Sequence, residues 1–156
     1  MKQTLLLYAV LLIVALACQQ APRHDQQADS LVNAANNPSP AFAGGCFQRV
    51  SGKDTVLLEL NVNDSLVTGH LTYHYFEKDR NSGAISGILR DSLLRASYQY
   101  MSEGVQSSRR AVFKVRGQQV FEAFANEIDT TGQPVFSDDP SQLKFDSVPL
   151  LSVPCK

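Results

Sequence analysis

The sequence predicts an all-β domain: a single antiparallel meander of about seven or eight strands, closed into a small barrel and preceded by a disordered tether. Three observations predict it. Apolar residues recur with a period of two in successive segments. Short clusters of Asn, Asp, Ser and Gly separate those segments. Beyond the N-terminus, no stretch carries a convincing helical pattern of any length. Closure follows because an open meander of this size exposes two strand edges that barrel formation removes.

The N-terminus comes first in chain order. Lys2 precedes an apolar run from Leu5 to Leu16, too short to span a bilayer, and small residues lead to Cys18. Residues 1–17 therefore read as an export signal. With a cysteine directly after the cut, the segment resembles a bacterial lipoprotein signal, which implies that Cys18 becomes the lipid-carrying first residue of the mature chain. Ala15 and Leu16 depart from the usual lipobox, and Ala15-Leu16-Ala17 also satisfies the small-x-small rule of an ordinary secretory signal. The two routes cut the same bond and differ in whether Cys18 is lipidated or left as a secreted N-terminus. An unpaired thiol at the tip of an exported chain argues for lipidation. Gln19 stands where an Asp would imply retention at the inner membrane, so the resemblance implies the outer membrane, with the protein periplasmic or surface-facing.

Residues 18–43 form the expected linker. Gln, Ala, Asn, Ser and Pro dominate, and Asn36-Asn37-Pro38-Ser39-Pro40 is typical. Such a stretch cannot bury enough apolar surface to order itself. As a flexible coil of roughly 25 residues it reaches on the order of 25–30 Å. A short helix over Ala28 to Ala35 is the alternative.

The barrel domain is expected over residues 44–156, opening at Gly44-Gly45. Val56, Leu58, Leu60 and Val62 alternate with polar neighbours, and Asn63-Asp64-Ser65 turns the chain. Val67, Gly69, Leu71, Tyr73 and Tyr75 share one face of the next strand. Arg80-Asn81-Ser82-Gly83 breaks the pattern, Ile85 to Leu89 resumes it, and Arg90-Asp91-Ser92 breaks it again before Leu94, Ala96, Tyr98 and Tyr100. Val105 to Val115 and Gln119 to Ala125 follow, separated by a turn at Arg116-Gly117. After two turn-rich stretches around Val135-Phe136, Leu143 to Val153 supplies a closing strand interrupted by Pro149.

Composition limits the function classes. The formal net charge is −1, with 14 basic and 15 acidic residues and no basic run longer than Arg109-Arg110, so no footprint for nucleic acid is present. A second long apolar stretch is missing, which leaves the lipid anchor as the expected membrane contact. Of the three cysteines, Cys18 takes lipid and Cys46 pairs with Cys155 in an oxidising compartment; two buried thiols are the alternative.

Each chemical constellation has a plainer competitor. His70 and His74 lie on one face of a strand about 13 Å apart, too far for one metal ion. Asp79 with Asn81, and Asp138-Asp139 with Asp146, lack the ligand density of a calcium loop and suit turns. No metal or other cofactor is expected. Tyr73, Tyr75, Tyr98 and Tyr100 on one face either line a ligand pocket or pack a core. Arg109 shares a face with Ala111, Phe113 and Val115, which aims a guanidinium inward with Glu103 as the nearest carboxylate. That arrangement is an anion-binding group or a structural ion pair. If Val112 faces inward instead, Arg110 is the inward charge. No nucleophile elbow, zinc-protease motif or phosphate loop occurs, so the protein is not expected to be an enzyme.

Gly45-Cys46-Phe47, Lys53-Asp54-Thr55-Val56, Thr68-Gly69-His70-Leu71, Glu77-Lys78-Asp79-Arg80-Asn81, and Met101-Ser102-Glu103-Gly104 followed by Ser107 and Arg109 give the domain its character. In these blocks the chain resembles a family of small Bacteroidota-type envelope lipoproteins without an assigned activity. In architecture it is similar to calycin-like barrels, the group of lipocalins and avidins, a likeness that transfers no ligand. The expected function is binding of a small, mainly apolar molecule in the barrel. Tyr73, Tyr75, Tyr98, Tyr100 and Phe113 would form the walls, and Arg109 with Glu103 a polar anchor. The alternative is an interaction module docking on an envelope protein or cell-wall polymer through the outer face of His70, Thr72 and His74. Hydrolysis ranks behind both.

Overall fold

The computed structural model describes residues 42–78 and 80–155. The expected signal, Cys18 and the linker up to residue 41 lie outside the described residues, as do Asp79 and Lys156. The domain is all-β, an eight-stranded antiparallel barrel. Its first seven strands form a meander: β1 (Gly44–Ser51), β2 (Asp54–Asn63), β3 (Leu66–His74), β4 (Arg80–Arg90), β5 (Leu93–Ser102), β6 (Val105–Arg116) and β7 (Gln119–Phe124). An excursion then carries a small hairpin, β8 (Glu127–Ile128) with β9 (Pro134–Val135), and a 3-10 turn at Pro140–Gln142. The eighth barrel strand is split into β10 (Lys144–Phe145) and β11 (Leu150–Val153), both paired with β7. β11 closes the barrel on β1 through Cys46↔Val153, Phe47↔Ser152 and Gln48↔Leu151.

Two-residue turns make this meander compact. Registers such as Asn63↔Leu66, Arg90↔Leu93 and Ser102↔Val105 leave only a dipeptide between neighbouring strands. Such turns match strand twist when their central residues take positive φ. At Glu103-Gly104 both do, at 50° and 77°.

The expected break at Arg80-Asn81-Ser82-Gly83 is absent: all four residues lie within β4, and the loop precedes them. Their polarity has two local causes. Ser82 Oγ lies on the outside, 2.8 Å from both His70 Nε2 and Thr72 Oγ1. Gly83 permits close approach to β5, since a Cβ there would fall 1.9 Å from the Gln99 carbonyl oxygen.

Alternation sends one face of every strand inward. Phe47, Val56, Leu58, Leu71, Ile85, Leu94, Phe113, Val120 and Leu150 make the core, which the two tyrosines Tyr73 and Tyr98 complete. An eight-stranded barrel is just wide enough for such side chains to fill. A second cluster lies outside the barrel wall, where Phe136 and Leu143 from the excursion cover Val112 and Ala123.

The barrel has two distinct ends. At the entry end, Phe42 stacks near Phe47 with ring centres 5.7 Å apart, and the Cys46–Cys155 disulfide ties β1 to the chain beyond β11. The far end carries the turn at residues 75–78, the Glu103-Gly104 turn and the excursion from β7 to β10.

Candidate functional site

The polar chemistry gathers at the far end. Tyr73 and Tyr75 stack along β3 at 5.8 Å, Tyr98 and Tyr100 stack along β5 at 4.7 Å, and the two pairs meet edge to face through Tyr73 and Tyr98 at 5.9 Å. Residues two apart on a strand share a face, which is why each pair stacks.

Arg109 on β6 lies directly across from Tyr98. It points inward with Ala111, Phe113 and Val115, whereas Val112 is buried on the outer side beneath Phe136. Its guanidinium carbon stands 5.0, 5.6 and 5.9 Å from the ring centres of Tyr73, Tyr98 and Tyr100, so three π faces surround one cation. Burial opposes the Arg109 charge, but Tyr73 and Glu122 beside it outweigh that, and its proton is held more firmly than in a free arginine. Its Nε is buried with no hydrogen-bond partner among the described residues, and so is Asn81 Oδ1 on neighbouring β4.

Glu122 on β7 is a carboxylate whose charge acts on Arg109 from inside the barrel. Glu103 occupies the exposed turn between β5 and β6. Glu122 accepts a short hydrogen bond from the Tyr73 hydroxyl through Oε1 and one from Arg49 Nη2 at 3.3 Å through Oε2. Arg49 also donates to Asp146 Oδ2 at 2.8 Å. Glu122 is thereby committed to Tyr73 and Arg49. No carboxylate among the described residues lies within salt-bridge distance of Arg109.

Burial separates the expected ligand contacts into two groups. Tyr73, Tyr98 and Phe113 are fully enclosed in the core. The Tyr98 hydroxyl is bonded to the Leu71 carbonyl at 3.0 Å. Burial pushes the Tyr98 phenol up to about 12. Burial, with Glu122 second, pushes Tyr73 well above the ordinary range and Tyr75 upward as well. Tyr75, Tyr100 and Arg109 are only partly covered, and Tyr75 and Arg109 line the opening.

Two adjoining clefts provide that opening. One of about 400 Å³ lies between β6 and β7, bounded by Arg109, Arg110, Glu122, Phe124 and Ile128; the other, about 250 Å³, is bounded by Ser51, Asp54 and Val56. Tyr75, Arg49 and Asp146 line both. The larger exists because β6 and β7 pair only from Phe113↔Glu122 to Arg116↔Gln119 and diverge beyond.

His70 is on the outer face, exposed, and His74 is likewise exposed. No group of three or more metal-ligating side chains occurs among the described residues. Sequence reasoning missed Glu122, Arg49 and Asn81, although alternation carried the signal: each lies an even number of residues from an inward apolar neighbour, namely Val120, Phe47 and Ile85. Asp146 sits in the interruption of the eighth strand, where no periodicity applies.

No family model matches this chain, and no curated protein or solved structure matches it.

Proposed function

We propose that this protein is an exported envelope lipoprotein, anchored at the outer membrane through Cys18, whose barrel binds a small, mainly apolar molecule with one anionic end. Supporting export and anchoring are Lys2, the apolar run from Leu5 to Leu16 and the cysteine after it. The Cys46–Cys155 disulfide is consistent with an oxidising compartment. The resemblance to small Bacteroidota-type envelope lipoproteins fits the same reading.

One observation carries the binding proposal: Arg109 is enclosed by three tyrosine rings and, among the described residues, has a buried Nε without a partner and no carboxylate within salt-bridge distance. A buried guanidinium gains most from a bonded anion. The cleft of about 400 Å³ beside it falls in the range of small-molecule sites. In this reading the ligand's anion meets Arg109, and its apolar body lies on Tyr75 in that cleft. The proposal is of binding without turnover.

Native mass spectrometry of the full chain, recovered from an oxidising compartment, tests it. A co-purifying adduct that disappears in a folded Arg109→Met variant is the expected result. An adduct retained by that variant, or a clean apo mass together with no binding of small aromatic or alkyl carboxylates, would overturn the proposal.

A further inference from the structure

The parting of β6 from β7 leaves a strand edge open. Residues Val105–Val112 of β6 are paired with β5, yet the β7 ladder begins only at Phe113. The alternation of hydrogen bonds along this stretch is fixed. The Val115 amide donates to the Ser92 carbonyl at 2.8 Å, which makes Leu93↔Lys114 a widely spaced pair that exchanges no bonds of its own. Counting along the register, Val105, Ser107, Arg109 and Ala111 bond to β5, and Gln106, Ser108 and Arg110 turn their N–H and C=O groups to the opposite edge. No strand among the described residues pairs with those three.

Two further features accompany this edge. Val105 at 63% exposure, Phe124 at 57% and Ile128 at 62% are large apolar side chains presented to solvent at the same end of the barrel. Phe124, Ile128 and Arg110 also border one cleft. Arg110 is exposed on the outer side of the edge, and no carboxylate of the described residues lies within salt-bridge distance of it.

We propose that the Gln106–Arg110 edge of β6 is a docking site for strand addition by an extended peptide of another protein, with acidic and apolar residues alternating. An incoming strand would exchange main-chain bonds with Gln106, Ser108 and Arg110. Its period of two sends side chains to opposite faces, carboxylates beside Arg110 and apolar groups over Val105 and Phe124. The stretch from Val105 to Val112 runs roughly 25 Å, enough for a short peptide strand. The electrostatic requirement selects the partner: an arginine with no carboxylate of the described residues within salt-bridge distance attracts an acidic segment and repels a basic one. This inference shares the cleft between β6 and β7 with the small-ligand reading but rests on different groups, the backbone edge and Arg110 where that reading rests on Arg109 and the tyrosines.

A display selection of random short peptides against the full, disulfide-bonded chain tests it. The expected winners alternate apolar residues with Asp or Glu. On binding, a synthetic winner slows amide exchange at Gln106, Ser108 and Arg110. Ser108→Pro removes an outward amide without touching the β5 ladder, so it should weaken binding ~10-fold or more, the worth of one or two backbone hydrogen bonds. If that variant fails to fold, N-methylation of alternate peptide amides makes the same test from the other side, one register abolishing binding and the other sparing it. Absence of enrichment, winners without acidic residues, or indifference to both blocks would overturn the proposal. So would a homodimer that Ser108→Pro dissociates, since the occupant would then be a second copy.

Discussion

Truncating Glu122 to alanine isolates the polar cluster inside the barrel. The side chain serves two partners, accepting from the Tyr73 hydroxyl and from Arg49. Removing it strands the Tyr73 hydroxyl, whose residue is only 1% exposed, and a buried polar group left unpaired costs about 1–3 kcal/mol. Arg49 retains Asp146 at 2.8 Å, so the second loss is smaller, about 0.5–1 kcal/mol for a partly solvated pair. The expected total is about 1.5–4 kcal/mol, a large share of a small domain's stability. At roughly 3–6 °C per kcal/mol for a chain of this size, Tm should fall by about 10 °C. Urea denaturation followed by tyrosine fluorescence measures it, with Tyr73→Phe as companion. That variant removes the donor and leaves Glu122 with Arg49, so about 1 kcal/mol is expected. The double variant should cost less than the sum of the singles, because no hydroxyl is then stranded. A Glu122→Ala loss below about 0.5 kcal/mol, or strict additivity with Tyr73→Phe, would refute the assignment of Glu122 as the carboxylate that holds this cluster together.

Two other predictions concern the wall and the interior. The disulfide spans 109 residues, and chain-entropy arguments assign such a closure about 5 kcal/mol. The Cys46→Ala/Cys155→Ala variant should therefore lose most of its resistance to urea, and a midpoint unchanged within error would contradict a role in securing the short β11–β1 ladder. The tyrosines set an alkaline limit. Because Tyr73, Tyr75 and Tyr98 hold their protons above the ordinary phenol value in the folded state, the unfolded chain releases them first. Their contribution is complete below about pH 10 and is lost as pH rises toward 12, so stability should decline across that window while tyrosinate absorbance lags behind that of free tyrosine. Tyrosines that all titrate normally would show the interior to be wet.

Much of the fold was readable in the chain, for a definite reason. Period-two alternation at Val56 to Val62, Val67 to Tyr75 and Leu94 to Tyr100 reports burial on one face directly, and dipeptide turns punctuate it. The reading failed where a polar run had a tertiary purpose. Arg80-Asn81-Ser82-Gly83 looks like a turn, yet Ser82 bonds outward to His70 and Thr72, and Gly83 admits a neighbouring backbone. At the site, alternation placed Arg109 with Phe113, but the carboxylate was sought nearby in sequence at Glu103. Glu122 reaches Tyr73 across 49 positions of chain, a separation that local pattern does not encode.

The sequence by itself determined most of the strand pattern and the inward faces of β2, β3 and β5, because these depend on residue type and spacing. Only the tertiary structure decided which inward side chains meet. A two-residue turn brings β7 beside β6, and barrel closure sets Glu122 opposite Tyr73, commits that carboxylate to Arg49, and leaves Arg109 among tyrosines with no carboxylate of the described residues within salt-bridge distance. Pairing also stops short along one seam: the chain leaves β7 after Phe124 for the excursion, and β6 continues with an edge that no strand of the described residues pairs with. Both features arise from contacts between distant segments, and those are fixed by the geometry of the closed sheet, not by any local preference of the residues involved.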